Sequence, residues 1–220
     1  MDKELLNSIL HKHKLWLKGK KGGERADLSN ADLRHADLSS VCLKFAIMQE
    51  IDLFGAELIE ANLISTSLYK ANMRCVNLSR ANLWNTDLSY ADLTGSDLTD
   101  ANLGGANLTD ANLKCCNLNG ANLMHAILNG ANLTDANLNC SNLFSASLHS
   151  TDFSGCNIDL SCLPLWCGSK GMIVDKRIAQ QIAAHFCALD CDDEEYQKAR
   201  DTILEFAKGS HRARELGLLE

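Results

Sequence analysis

The sequence predicts an all-β solenoid, preceded by one helix and followed by a helical hairpin. Three observations predict that class. From Ala26 to Leu160 the chain runs in 27 consecutive five-residue units without an insertion. The first and third positions of these units hold no charge, with Leu at 23 of the 27 third positions and Ala at 17 of the first. The second position is Asp or Asn in 21 units, and the fourth and fifth carry most of the remaining polarity.

A period of five suits neither regular element. On an α-helix, at roughly 100° per residue, successive third positions step about 140° and smear around the circumference. On an uninterrupted strand five is odd, so successive Leu side chains alternate faces. Only a chain that turns once per unit keeps every Leu on one side. Asp and Asn suit that turn because their side chains bond nearby backbone groups. The scarcity of β-branched residues speaks against long flat strands.

The tandem motif, as in ADLSN at Ala26–Asn30 and ADLRH at Ala31–His35, resembles the A[DN]LXX signature of the pentapeptide-repeat family over 135 of 220 residues. The resemblance implies a right-handed quadrilateral β-helix, with four units per square coil and one unit on each face. Twenty-seven units then make nearly seven coils. Residues twenty apart share a column in that arrangement. Asn62, Asn82, Asn102, Asn122 and Asn142 form one row, read as a side-chain amide ladder. The outward fourth positions of the same face hold Lys44, Ile64, Trp84, Gly104, Met124 and Phe144, flanked by Phe45, Ile47 and Ile127. An apolar patch in line covers something. The candidates for Ile64, Trp84, Met124 and Phe144 are a docked terminal helix of the same chain or the surface of a partner, a second copy included.

Charge is uneven along the chain. Residues 1–25 carry a net +4, residues 26–160 a net −9 and residues 161–220 a net −2. An acidic chain of net charge −7 does not suggest a nucleic-acid binder. The acidic second positions, Asp32, Asp52, Asp92 and Asp97 among them, serve the turns or present an acidic surface. Fluoroquinolone-resistance proteins of the family resemble duplex DNA in shape and charge and bind DNA gyrase. The resemblance therefore implies, as the alternative to a general protein-interaction or scaffold role, a DNA mimic directed at a type II topoisomerase.

Residues 3–18 form an amphipathic helix with Leu5, Ile9 and Trp16 on one stripe, and Gly19–Gly23 link it to the first unit. A basic amphipathic helix suits a membrane surface, but this one is short and sits beside a coil end needing cover, so residues 1–25 read as a cap. Pro164 opens a loop after the repeats. Asp175 is the expected N-cap of a helix to about Asp190, with Ile178, Ile182, Phe186 and Leu189 aligned. Asp192–Glu195 then suit a helix start, and Tyr196, Ala199, Ile203 and Phe206 line a second helix ending before Gly209. Residues 161–220 read as a second cap, too small for an independent enzyme domain.

Nothing in the chain carries a catalytic pattern: there is no G-x-S-x-G, no H-E-x-x-H and no phosphate loop. Cys162, Cys167, His185, Cys187 and Cys191 cluster without the paired spacing of a zinc site, so no metal or other cofactor is expected. Cys116 and Cys156 occupy inward first positions, where Cys acts as a small hydrophobe. Cys75 and Cys115, two coils apart on an outward column, are too distant for a disulfide. Reduced cysteines, no run of about 18 apolar residues and no leader pattern predict a cytoplasmic protein without a membrane span.

Overall fold

The structure is a computed structural model that describes residues 1–158, 173–174, 176–187 and 194–209. The chain divides into two compact units, Met1–Met172 and Ile173–Glu220.

In the first unit the second-position residues pair in parallel bridges with residues twenty further on, from Asp27–Ile47 to Asn137–Asn157. The bridges fall into four columns, so the backbone completes one circuit every four units. We label the faces by their first units: face I from Ala26, face II from Ala31, face III from Ala36 and face IV from Val41. Each bridge is a pair of backbone hydrogen bonds. Asn102 N donates to Ala81 O at 2.9 Å, and Leu83 N donates to Asn102 O at 2.7 Å. The corner after each unit is a β-turn closed by a bond from the next first position to the third, as in Ala31 N to Leu28 O at 3.1 Å.

That corner has a fixed conformational demand. All 26 fifth positions from Asn30 to Gly155 lie in the left-handed region, with φ between 54° and 73°. Only six of these are glycine. The others, including Phe45, Lys70, Arg80 and Tyr90, hold a conformation costing an L-residue about 1 kcal/mol or more. The stacked ladders on either side over-determine it.

Side chains of the second position reinforce the corner. Asp97 Oδ1 accepts the Thr99 amide at 3.0 Å, and equivalent bonds recur on every face. The interior is as the pattern predicts: Leu, Met, Phe and Ile of the third positions, and the first positions from Ala46 onward, are buried. Polar first positions are satisfied by the carbonyl 23 residues back, except Ser141, whose Oγ donates to Leu138 O at 2.7 Å. Thr66 Oγ1 donates to Leu43 O at 2.8 Å, Ser96 Oγ to Met73 O at 2.6 Å and Cys116 Sγ to Leu93 O at 2.9 Å. Burial pushes the Cys116 thiol up to about 12, which keeps it an inert neutral donor.

Helix α1 (Lys3–Leu17) starts where Asp2 Oδ1 accepts the Leu5 amide at 2.7 Å. It stops before Gly19 and Gly22, both at positive φ. Its packed face is not the predicted stripe. Leu5 and Trp16 are 52% and 37% exposed, while Leu6, Ile9, Leu10 and Leu17 are partly covered and His13 is completely buried. Docking contacts set this rotation. The Met1 ammonium donates to Asp32 O at 2.7 Å, and His13 Nδ1 accepts the Ala26 amide at 3.0 Å. Gly23 presses on the helix backbone so closely that a Cβ there would meet Trp16 N at 2.3 Å.

In the second unit, α2 (Lys176–Cys187) packs against α3 (Glu194–Ala207). α3 begins within the acidic run predicted to start it. Ile178 is buried as the α2 stripe requires, but Phe206 is 42% exposed and its neighbour Ala207 is the buried residue. Gly209 lies against the Gln180 side chain of α2, where no Cβ would fit. The expected N-cap Asp175 and the loop at Pro164 lie outside the described residues.

Candidate interaction surface

Backbone and core are the same on all four faces, so what distinguishes them lies in the outward positions. Through residue 158, face I carries four acids and one base, face II five acids and three bases, and face III five acids and one base. Face IV carries no acid and one base, Lys44. A near-neutral strip thus runs along an otherwise acidic solenoid.

The structure places Ile64, Trp84, Met124 and Phe144 in one outward column on that strip, beside the bridged row Cys42, Asn62, Asn82, Asn102, Asn122 and Asn142. The row is an amide ladder in part: Asn102 Nδ2 donates to Asn82 Oδ1 at 3.3 Å and Asn122 Nδ2 to Asn102 Oδ1 at 3.0 Å. Trp84 is half-buried because its ring lies over Gly104 in the next coil. A Cβ on Gly104 would sit 2.2 Å from Trp84 Cζ3 and 2.4 Å from Cε3. The indole therefore fills its own chain's gap and, like Ile64 and Met124, is half-buried. Phe144 stands out most, at 64% exposed, with His125 edge-on to it at 6.2 Å and Ile127 exposed nearby in sequence. The sequence signal for His125 is its fifth position on this face, nineteen residues before Phe144.

The acidic candidates are divided. Asp32, Asp52 and Asp92 lie in one column on face II, and Asp97 lies on face III. Arg34 clamps Asp32 through both carboxylate oxygens, at 2.9 and 2.7 Å, and reaches Asp52 at 3.6 Å. The Arg34 side chain, followed by its own backbone amide, holds the Asp32 carboxyl well below the usual carboxylate range. Arg74 approaches Asp92 at 3.8 Å. Each carboxylate also has an oxygen committed to structure. Asn72 Nδ2 donates to Asp52 at 2.8 Å, Asn112 Nδ2 to Asp92 at 3.3 Å, and Thr99 Oγ1 to Asp97 at 2.6 Å. Exposed pairs of this kind contribute little stability, but they lower the field an approaching partner meets.

The cysteines at 42, 75, 115 and 140 are free and exposed, Cys116 is free and buried, and the buried Cys156 donates its thiol to Leu133 O at 2.7 Å. Among the described residues no group of His, Cys, Asp or Glu is arranged to hold a metal ion, and no helix is long and apolar enough to cross a membrane. The cysteines and His185 of the C-terminal cluster fall outside the described residues and side chains.

Fold and surface together define a repeat solenoid with one distinctive outer face. The pentapeptide repeats family model matches with 8 copies, over residues 24–49, 46–85, 77–114, 101–139 and 116–159, and the chain belongs to that family. Its members fold as right-handed quadrilateral β-helices and are in general non-enzymatic structural or interaction modules. The chain is 37% identical to HetL, a pentapeptide repeat protein involved in heterocyst differentiation regulation in the cyanobacterium Nostoc sp. strain PCC 7120. That match covers 70% of this chain and 71% of HetL, with a TM-score of 0.34. It is 25% identical to alr5209, a pentapeptide repeat protein of Nostoc PCC 7120, over 75% of this chain and 93% of that one, with a TM-score of 0.29. QnrB1, a plasmid-mediated fluoroquinolone resistance protein, matches at 16% identity over 74% and 91% of the two chains, with a TM-score of 0.40. No curated protein matches the sequence.

Proposed function

We propose that this chain is a non-enzymatic protein-interaction module, nearly seven coils long, that docks a protein partner on face IV. The observation that supports the reading is the contrast between face IV, which lacks any carboxylate and carries the column Ile64, Trp84, Met124 and Phe144, and three faces of net negative charge. An acidic surface keeps other acidic proteins away, a second copy included, whereas a neutral apolar strip does not. A second copy is therefore the first partner to test. Wild-type protein in sedimentation equilibrium is expected to show a concentration-dependent dimer. Phe144→Lys and Trp84→Lys are expected to abolish it with the unfolding midpoint nearly unchanged for Phe144→Lys. A monomer before and after, with both variants merely less stable, would make the column internal packing and end the reading.

The alternative is a DNA mimic that binds DNA gyrase, supported by the net acidity of faces I to III. It predicts salt-sensitive gyrase binding and inhibition of supercoiling. Full supercoiling activity at micromolar protein would remove it. The Arg34 and Arg74 pairings weigh against it on face II.

A further inference from the structure

Helix α1 and the first coil enclose three clefts along their junction, and one differs from the others in charge. The first, about 590 Å³, is lined by Leu10, Lys14 and Leu17 of α1 and its C-cap Lys18, and by Ser40 and Val41, Cys42, Lys44 and Phe45 of the first unit of face IV. The second, about 440 Å³, includes Lys3, Arg34, Asp32 and Asp37. The third, about 230 Å³, includes Lys12, Arg25, Glu24 and Asp27. Carboxylates thus offset the cations in the second and third clefts. The first holds three lysines and no carboxylate.

The helix period builds this cleft. Leu10, Lys14, Leu17 and Lys18 are spaced four, three and one apart, so they share one flank of α1. Leu10, Leu17 and Val41 give it apolar walls, and the Phe45 ring is 41% exposed. Lys44 Nζ stands 5.7 Å from the Phe45 ring centre, which draws one ammonium to the aromatic wall. Lys14 and Lys18 are exposed, and among the described residues neither makes an ion pair. The volume falls within the usual range for small-molecule sites, roughly 300–1,000 Å³, and an apolar lining with a few convergent charges is their usual chemistry.

From these features we infer that the cleft between α1 and residues 41–45 binds a small amphipathic organic anion, with its apolar body against Leu10, Leu17, Val41 and Phe45 and its anionic group among Lys14, Lys18 and Lys44. Three like charges around one cleft repel each other and are relieved by an anion. A neutral ligand gains only the apolar contact. This site lies at the first coil of face IV, one coil before Ile64, and its test changes none of the residues that test the partner surface, so either reading can fail without the other.

The test uses the full chain with octanoate as probe and 1-octanol as its uncharged match, both by calorimetry. Octanoate is expected to bind with one site per chain, about tenfold or more tighter than octanol, and to weaken as salt rises. The variant Lys14→Gln/Lys18→Gln/Lys44→Gln is expected to lose about tenfold or more of the octanoate affinity and little of the octanol affinity. A matched control, Lys12→Gln/Lys20→Gln/Lys21→Gln, removes the same charge outside the cleft and is expected to leave octanoate binding nearly unchanged. Far-UV circular dichroism and unfolding midpoints check that all variants are folded. No heat of binding at millimolar octanoate, equal affinity for octanol, or equal loss in both lysine variants would each overturn the inference.

Discussion

The middle of the solenoid and its N-terminal end solve the same problem by different means. In the middle, each coil meets a copy of itself. Asn102 donates its amide to Ala81 O and accepts from Leu83 N; its side chain donates to Asn82 and accepts from Gly104 N and Asn122 Nδ2. Translation by twenty residues satisfies every such group without any special residue. At the first coil there is no preceding copy. By the pattern of Leu33 N to Asp52 O, the Asp32 carbonyl faces a missing amide, and the Met1 ammonium takes that place. The Ala26 amide is taken by His13 Nδ1, while the buried His13 Nε2 is left without a hydrogen bond. A repeating interior therefore tolerates repetition, whereas an end depends on individual, non-repeating side chains.

The largest expected effect sharpens that contrast. Leu98 is completely buried in the middle of the stack. Leu98→Ala is expected to cost about 2–5 kcal/mol in urea unfolding, because the coils above and below cannot collapse into the cavity. Leu28 is equally buried, but it belongs to the first coil, which α1 rather than another coil precedes. Leu28→Ala should fall at the lower end of the same range. A larger loss at Leu28 than at Leu98 would break the comparison.

The same contrast marks what was legible in the sequence. Register, columns, inward cysteines and the amide row all follow from translation, so one unit read correctly gives the rest. The facing of α1 does not. Leu5 and Leu6 are both apolar, and only the anchors at Met1 and His13 decide which turns inward. The Trp84 candidate was legible as a column member, but its seat on Gly104 depends on a side-chain rotamer that no period specifies. One outward pattern was available and easily missed: Asp100, Asp110 and Asp135 each precede a glycine by twenty residues. In each case the carboxylate occupies the place a Cβ would take, with Oδ1 at 2.2 Å from that position on Gly120, Gly130 or Gly155.

The next effect sits on face IV. Gly104→Ala places a methyl group in the Trp84 ring and must push the indole outward. A loss of about 1–3 kcal/mol is expected, with a changed tryptophan emission in the folded state. Thr109 is the equivalent residue on face I, one unit on, with Ser89 in the place of Trp84. Thr109→Ala removes its Oγ1 bond to Asn107 and should cost at most about 1.5 kcal/mol. Equal losses would mean that the indole has free room and is not seated on Gly104.

A smaller effect tests the junction through pH. Burial, the largest cause, lowers the His13 pKa from its ordinary 6.5; Arg25 lowers it further and the nearby Lys44 carbonyl opposes. The buried ring is stacked on Trp16 at 5.6 Å, and its Nδ1 must stay unprotonated to accept from Ala26. Lys12 and Glu24, one residue before His13 and two before Ala26, pair at 3.0 Å. A lowered folded pKa means the unfolded chain binds the proton first. Stability from this contact is therefore complete above the unfolded value and declines as pH falls below it toward the folded pKa. The urea midpoint should drop between about pH 7.5 and about pH 5.5, and His13→Gln, which keeps an acceptor and loses the titration, should flatten that part of the drop. The same slope in both proteins would show that the junction does not titrate.

The smallest effect returns to the corners. Cys75 is exposed, lies at φ 54° and sits at a fifth position with a coil on either side. Cys75→Gly removes the left-handed penalty of about 1 kcal/mol, while the freer unfolded chain takes back roughly 0.4–1 kcal/mol. The net is expected to be neutral to slightly stabilising, by at most a few tenths of a kcal/mol in the unfolding midpoint. Gly120→Ala reverses both terms and adds the clash with Asp100, so it should destabilise clearly. If Cys75→Gly instead cost as much as Gly120→Ala, the corner geometry would depend on the side chain rather than on the stacked ladders. The middle of the solenoid would then need individual residues as its end does.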